Sequence, residues 1–176
     1  MSKRLSLVLG GVRAGKSTYA QQLAEAGERI LFVATAEARD DDMTRRIRAH
    51  QQARPSAWDT LEEPLDIVGA LTPILRRYDT VLLDCLTLWV SNLMLAETEA
   101  DVPAEARRLL DLYRAGDASW IIVSNEVGLG LIAPTRLGRV YAEELGRVNQ
   151  MVAAAADEVY FMAAGLPLSL KSRADS

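Results

Sequence analysis

The sequence predicts an α/β protein with a mostly parallel central sheet and helices on both of its faces. Short apolar runs alternate along the chain with longer helical patterns. The runs are continuously apolar, as strands covered on both faces are. A glycine-rich turn joins the first run directly to the first helical pattern. At roughly 150 residues per domain, the 176 residues fit a single domain spanning 1–176.

Residues 5–9 (LSLVL) form the first strand candidate. Residues 16–26 follow as a helix, with Gly27 placed to end it as a left-handed cap. Residues 29–34 (RILFVA) are the second strand. Asp40, Asp41 and Asp42 supply a cap and first-turn acids for a helix over 40–53, stopped by Arg54-Pro55. A short strand is expected at 58–61 and a helix at 65–75, with Pro64 suited to its start and Pro73 near its end. Residues 80–83 (TVLL) are a buried strand. Helices at 86–96 and 104–115 flank a polar loop that contains Pro103. A strand at 120–124, a long helix at 135–156 and strands at 158–162 and 166–170 complete the pattern, leaving 171–176 as a loose tail.

Composition excludes several functions. The chain has one Cys, Cys85, and one His, His50, so a disulfide framework is ruled out. A structural Cys/His zinc site needs about four ligands and is ruled out too. Any imidazole-dependent catalysis must use His50. Lys plus Arg is 20 and Asp plus Glu is 24, a net charge of −4 that speaks against a nucleic-acid partner. Lys3 and Arg4 precede an apolar run too short for a secretory signal. The longest mostly apolar stretch, 81–96, is interrupted by Asp84, Thr87, Ser91 and Asn92 and falls short of a membrane span. A soluble cytoplasmic protein is expected.

Gly10-Gly11-Val12-Arg13-Ala14-Gly15-Lys16-Ser17 fits the phosphate-loop pattern G-x-x-x-x-G-K-[ST], with a strand before it and a helix after it. Glycines let backbone N–H groups wrap phosphate oxygens, and the helix N-terminus faces the same anion. Lys16 adds a mobile cation, and Ser17 a hydroxyl ligand for Mg²⁺. Asp84 closes the strand TVLLD at the side of a parallel sheet where ligands bind. It is either a second Mg²⁺ ligand or a cap for the helix that begins at Leu86. Glu126 follows the strand WIIVS and is either a base or metal ligand, or a loop acid bonded to backbone N–H groups.

Met43, Ile47 and His50 share one helix face, with Arg45, Arg46, Arg48 and Arg54 around them. On spacing alone His50 is a partly buried helix histidine among solvated arginines. The sharper alternative is a nucleophile, since neutral imidazole can attack phosphorus and form a phosphoramidate. Nearby arginines favour the neutral, attacking form. Arg136, Arg139 and Arg147 read as a solvated helix face, and Trp58, Trp89 and Trp120 as packing residues.

The segments GGVRAGKS, FVATA, RIRAHQQARP, LLDCLTLWVSNLM, SNEVGLGLIAP and GRVNQMVAAAADEVYF occur in this order over nearly the whole chain. In them the chain resembles the bifunctional adenosylcobinamide kinase / adenosylcobinamide-phosphate guanylyltransferase family of cobalamin biosynthesis. The phosphate loop is widely shared, whereas the histidine segment, SNEVGLG and GRVNQ are far more specific. The resemblance implies a RecA-like P-loop NTPase fold with an antiparallel strand near the C-terminus. It implies phosphorylation of adenosylcobinamide by ATP or GTP. It further implies transfer of GMP from GTP, through guanylylated His50, to adenosylcobinamide phosphate. Nucleotide contacts carry over to Gly10 through Ser17, to Ala34, Thr35 and Ala36, to Gln51, Gln52, Ala53 and Arg54, to Glu62 and to Asp84. Homo-oligomers, with a trimer favoured, are implied as well. Ala14 stands where a Ser is common, a change of little weight in a loop that binds through its backbone. Two other classes stay open: a P-loop small-molecule kinase without a covalent intermediate, and a non-catalytic RecA-like nucleotide-binding module.

Overall fold

The structure is a computed structural model that describes residues 2–37, 41, 44, 45, 51, 55–96, 100–130 and 132–172. Among the described residues seven strands form one sheet: β1 Leu5–Gly10, β2 Ile30–Ala34, β3 Asp59–Glu62, β4 Thr80–Asp84, β5 Ser119–Val123, β6 Glu158–Ala163 and β7 Leu166–Lys171. Their spatial order is β3-β2-β4-β5-β1-β6-β7. The pairings are parallel except for the final β6–β7 hairpin. The antiparallel strand near the C-terminus is therefore β7.

Alternation along each strand divides the core. Leu5, Leu7 and Leu9 of β1 join Leu31, Val33, Val81, Leu83 and Ile122 on one face. Helices α2 Ile67–Leu71, α3 Leu86–Leu95, α4 Val102–Ala115 and α5 Arg136–Ala155 cover that face. Val8, Phe32, Leu82, Ile121 and Val123 point the other way, toward Ala20 and Ala24 of α1 Lys16–Ala24. Both faces of the four central strands β1, β2, β4 and β5 are covered, which is why these strands read as continuous apolar runs, whereas the edge strands β3 and β7 are largely exposed.

Several ends differ from the sequence expectation, each for a local reason. Helix α1 stops two residues early, and Gly27 is not a left-handed cap. A Cβ there would sit 2.2 Å from Thr80 Oγ1, so glycine allows β4 to approach closely. The helix expected over 65–75 shortens to α2, capped by Asp66, whose carboxylate accepts from the Gly69 N–H. A 3-10 turn, Leu75–Arg77, follows Pro73. Pro103 lies inside α4 rather than before it, in the first turn, where no backbone N–H is required. Lys171, expected in the tail, closes β7 and donates to the Ala153 and Ala154 carbonyls at the end of α5. Of the helix expected over 40–53, residues 41, 44, 45 and 51 are described and are helical. The face shared by Met43, Ile47 and His50 lies outside the described residues.

Trp89 and Trp120 are each 1% exposed and pack in the main core, as expected. Trp58 packs against the second core. Among the described residues no helix is long and apolar enough to cross a membrane.

Candidate functional site

Parallel strands deliver their C-terminal ends to one rim, and the site is built there. In the sheet register Ala34 pairs with Glu62 on one side and with Asp84 on the other. Glu62, Ala34 and Asp84 therefore form one row across β3, β2 and β4. Adjacent strands lie about 4.8 Å apart, which spaces the ends of the row by about 10 Å.

The phosphate loop leaves β1 at Gly10 and enters α1 at Lys16. Gly15, the residue before the helix, has φ 92°, a left-handed conformation that suits glycine. Arg13 is also left-handed, at φ 58°, and curls the loop so that its amides can face a phosphate. The Ala14 N–H donates to the Gly11 carbonyl at 3.3 Å. Val12 is 79% exposed, so at that position the loop offers backbone rather than side chain.

Ser17 Oγ donates to Asp84 Oδ2 at 2.9 Å. The contact sets the Asp84 side chain beside Ser17, the other residue expected to hold Mg²⁺. The carboxylate faces the phosphate loop, and α3 starts at Cys85 without a side-chain cap. A hydroxyl and a carboxylate side by side are hard oxygen donors of the kind Mg²⁺ takes.

Lys16 Nζ donates to the Gly11 carbonyl at 2.6 Å. Burial pulls its pKa below the ordinary lysine value, against the opposing pull of Cys85 and Asp84. A partly desolvated ammonium over the loop gains from an arriving phosphate. The Cys85 thiol is pushed up to about 12, by burial first and by Asp84 second. It is protonated at neutral pH and has no nucleophilic role there.

Beneath the rim, polar contacts lock the strand ends. Thr35 is fully buried, and its hydroxyl donates to the Cys85 carbonyl at 2.8 Å and accepts from the Cys85 N–H at 2.9 Å. It joins β2 to β4 from below. Ala34 contributes its carbonyl to the Glu63 N–H, and Ala36 follows at the exit from β2. Gln51 Nε2 donates to Glu62 Oε1 at 2.8 Å, at the far end of the row. His50, Gln52, Ala53 and Arg54 lie outside the described residues.

Glu126 is placed beside the phosphate loop by its N–H, which donates to the Gly10 carbonyl at 3.3 Å. Its Oε1 accepts from the Gly128 N–H at 2.9 Å, the loop-acid arrangement. Asn125 is held by Thr87 Oγ1, which accepts from its N–H, and by Asn149, which donates to its carbonyl. The turn of the β6–β7 hairpin also reaches the site: the Gly165 N–H donates to the Ala14 carbonyl at 3.1 Å. Thr87, Asn149 and Gly165 carry no phosphate-loop signature, and spacing alone does not reveal them.

The chain is similar to known proteins over nearly its whole length. Residues 6–170 match the family described as Cobinamide kinase / cobinamide phosphate guanyltransferase. The chain is 42% identical over 166 residues to a Pseudomonas aeruginosa protein named Bifunctional adenosylcobalamin biosynthesis protein CobP, covering 94% of this chain and 96% of that one. It is 35% identical over 178 residues to the Salmonella typhimurium protein named CobU, covering 94% and 98%. Among solved structures it is similar to the type III secretion ATPase EscN of enteropathogenic E. coli. There the TM-score is 0.59 at 13% identity, over 97% of this chain and 48% of that one. This last likeness concerns the fold, which is that of RecA-like P-loop ATPases. The chain belongs to the cobinamide kinase / cobinamide phosphate guanyltransferase family, a family of bifunctional enzymes of cobalamin biosynthesis.

Proposed function

We propose that the protein phosphorylates adenosylcobinamide with ATP or GTP and then converts adenosylcobinamide phosphate to adenosylcobinamide-GDP through guanylylated His50. The observation that carries the reading is the row Glu62–Ala34–Asp84. The phosphate cradle adjoins one end of it, and Gln51, the neighbour of His50, is bonded to the other.

In the phosphoryl step the loop amides and Lys16 hold the phosphate chain while the acceptor hydroxyl attacks the γ-phosphorus; the bond from that phosphorus to the β–γ bridging oxygen breaks, the nucleoside diphosphate leaves and the hydroxyl proton passes to solvent. In the guanylyl step a ring nitrogen of His50 attacks the α-phosphorus of GTP. The α–β bridging bond breaks, and pyrophosphate leaves toward the same amides and Lys16. A phosphate oxygen of adenosylcobinamide phosphate then attacks the guanylyl phosphorus, the P–N bond breaks, and the imidazole is regenerated. Ser17 and Asp84 would hold Mg²⁺, which would neutralise phosphate charge. Ala34, Thr35, Ala36, Gln51, Gln52, Ala53, Arg54 and Glu62 complete the nucleotide site. The working form is a cytoplasmic homo-oligomer, a trimer, of 1–176 domains.

The test uses GTP labelled at the α-phosphate. With Mg²⁺, the denatured protein retains label that is lost in acid and survives base, as a phosphoramidate does. His50→Ala abolishes it, and chelation of the metal prevents it. Equal labelling of His50→Ala removes the histidine from the mechanism. Phosphorylation of the acceptor without any labelling of the parent protein favours a kinase lacking the covalent step. Nucleotide binding without either transfer favours a non-catalytic module.

A further inference from the structure

The β6–β7 hairpin ends against the phosphate loop, and the chemistry above assigns it no role. Its two-residue turn is Ala164-Gly165, with φ 51° and φ 82°. Two successive left-handed residues make the tight turn that matches the twist of a hairpin. The strand that carries the turn is firmly seated. β6 pairs along β1 as far as Gly10 and Met162, and a Cβ on Gly10 would sit 2.6 Å from the Met162 carbonyl oxygen. Met162 is buried, and the Tyr160 ring meets Tyr19 of α1 edge-on at 5.2 Å.

Two contacts join the turn to the loop. The Gly165 N–H donates to the Ala14 carbonyl at 3.1 Å. A Cβ on Gly15 would lie 3.1 Å from the Gly165 Cα, so the two glycine backbones pass close together. The hydrogen bond has a consequence on the other side of the loop. A trans peptide is planar, and its C=O and N–H point in opposite directions. The Ala14 carbonyl and the Gly15 N–H belong to one peptide. With the carbonyl drawn toward the hairpin, the Gly15 N–H points away from it. Among the described residues that N–H meets no backbone acceptor, and it directly precedes the first amides of α1.

We infer that Gly165 is a positioning residue for the phosphate chain: it turns the Ala14–Gly15 peptide so that the Gly15 N–H joins the α1 amides in facing phosphate. The inference rests on the reading of the loop as a phosphate cradle and does not depend on His50. It makes the C-terminal hairpin a working part of a site whose signature lies entirely at the N-terminus.

The test reads binding of inorganic pyrophosphate with Mg²⁺ by calorimetry and hydrogen exchange at the Gly165 amide. By linkage, a bond that favours bound phosphate is itself favoured when phosphate binds. Saturating pyrophosphate is expected to slow exchange at Gly165 about 3- to 10-fold relative to the other amides of the hairpin. Gly165→Ala strains an L residue in the left-handed region and should weaken pyrophosphate about 3- to 10-fold. The nucleotide KM should rise by a similar factor in both activities, since the loop holds the phosphate chain in both. Ala164→Asn places a residue preferred at the first position of this turn and should keep the parent's affinity or tighten it. Lys3→Met removes a contact at the opposite end of β1 and should leave affinity unchanged, which separates lost positioning from lost stability. Exchange at Gly165 that merely follows the rest of the hairpin overturns the inference, and so does parental affinity in Gly165→Ala. The exchange measurement needs no substitution, and it decides the matter if Gly165→Ala does not fold. A parent protein that binds no pyrophosphate removes the cradle reading itself, and the inference with it.

Discussion

Asp84 is the residue at which charge, hydroxyl and lysine meet. Asp84→Asn keeps an oxygen for Ser17 to donate to and deletes only the negative charge. It is expected to raise the Mg²⁺ concentration needed for half-maximal rate and to lower both activities about 10²-fold, read by steady-state assay across a Mg²⁺ titration. Without that charge the Lys16 pKa falls further, since burial then meets less opposition. Cys85 makes a contrasting case. With its thiol pushed up to about 12, alkylation by iodoacetamide at pH 8 should be far slower than for a free thiol and should match it once the chain is unfolded. The phosphate loop and Asp84 were legible in the sequence because their chemistry needs particular residue types at particular spacings. Thr35 and Gly165 were not legible in their bridging role. Their partners are backbone groups, which every residue has, and only the fold decides which ones come within reach.

Among the elements, α4 shows how an end far from the site is secured. Lys3 donates its ammonium to the carbonyls of Tyr113, Arg114 and Gly116 and lies 4.2 Å from the Tyr113 ring centroid. A cation at a helix C-terminus satisfies orphan carbonyls and opposes the helix dipole. Lys3→Met should cost about 1 kcal/mol in urea unfolding and leave nucleotide affinity unchanged. Gly27→Ala is expected to cost more, about 1–3 kcal/mol by the same measurement, because its Cβ would overlap Thr80. The interiors of the described strands and helices followed from apolar runs and periodicity. Their ends moved wherever a cap or a close approach outweighed the pattern, as at Asp66, Pro103 and Gly27. Lys3 itself read as part of a charged start to the chain, and its partners are more than a hundred residues away.

For the whole molecule, the pH dependence of stability has a defined sign. Burial raises the Cys85 thiol from 9.0 to about 12 and the Tyr141 phenol from 10.0 to about 12, with the hydroxyl of Tyr141 donating to the Thr87 carbonyl. Both groups keep their protons in the folded state at a pH where the unfolded chain has begun to release them. Their contribution is therefore complete below pH 9 and is lost as pH rises toward 12. The midpoint of thermal unfolding should fall over this interval, and Cys85→Ala should flatten the earlier part of the fall. A parallel sheet was legible from the strands, but the order β3-β2-β4-β5-β1-β6-β7 was not. Placing β1 between β5 and β6 depends on long-range pairing that local pattern does not encode. That order also brings the hairpin turn at Ala164 and Gly165 against the phosphate loop. Ala164 is exposed, and the chain's one natural thiol is packed and protonated. A fluorophore attached through Ala164→Cys would then be carried by a single site, one residue from a bond to the loop, and its emission would report nucleotide occupancy directly.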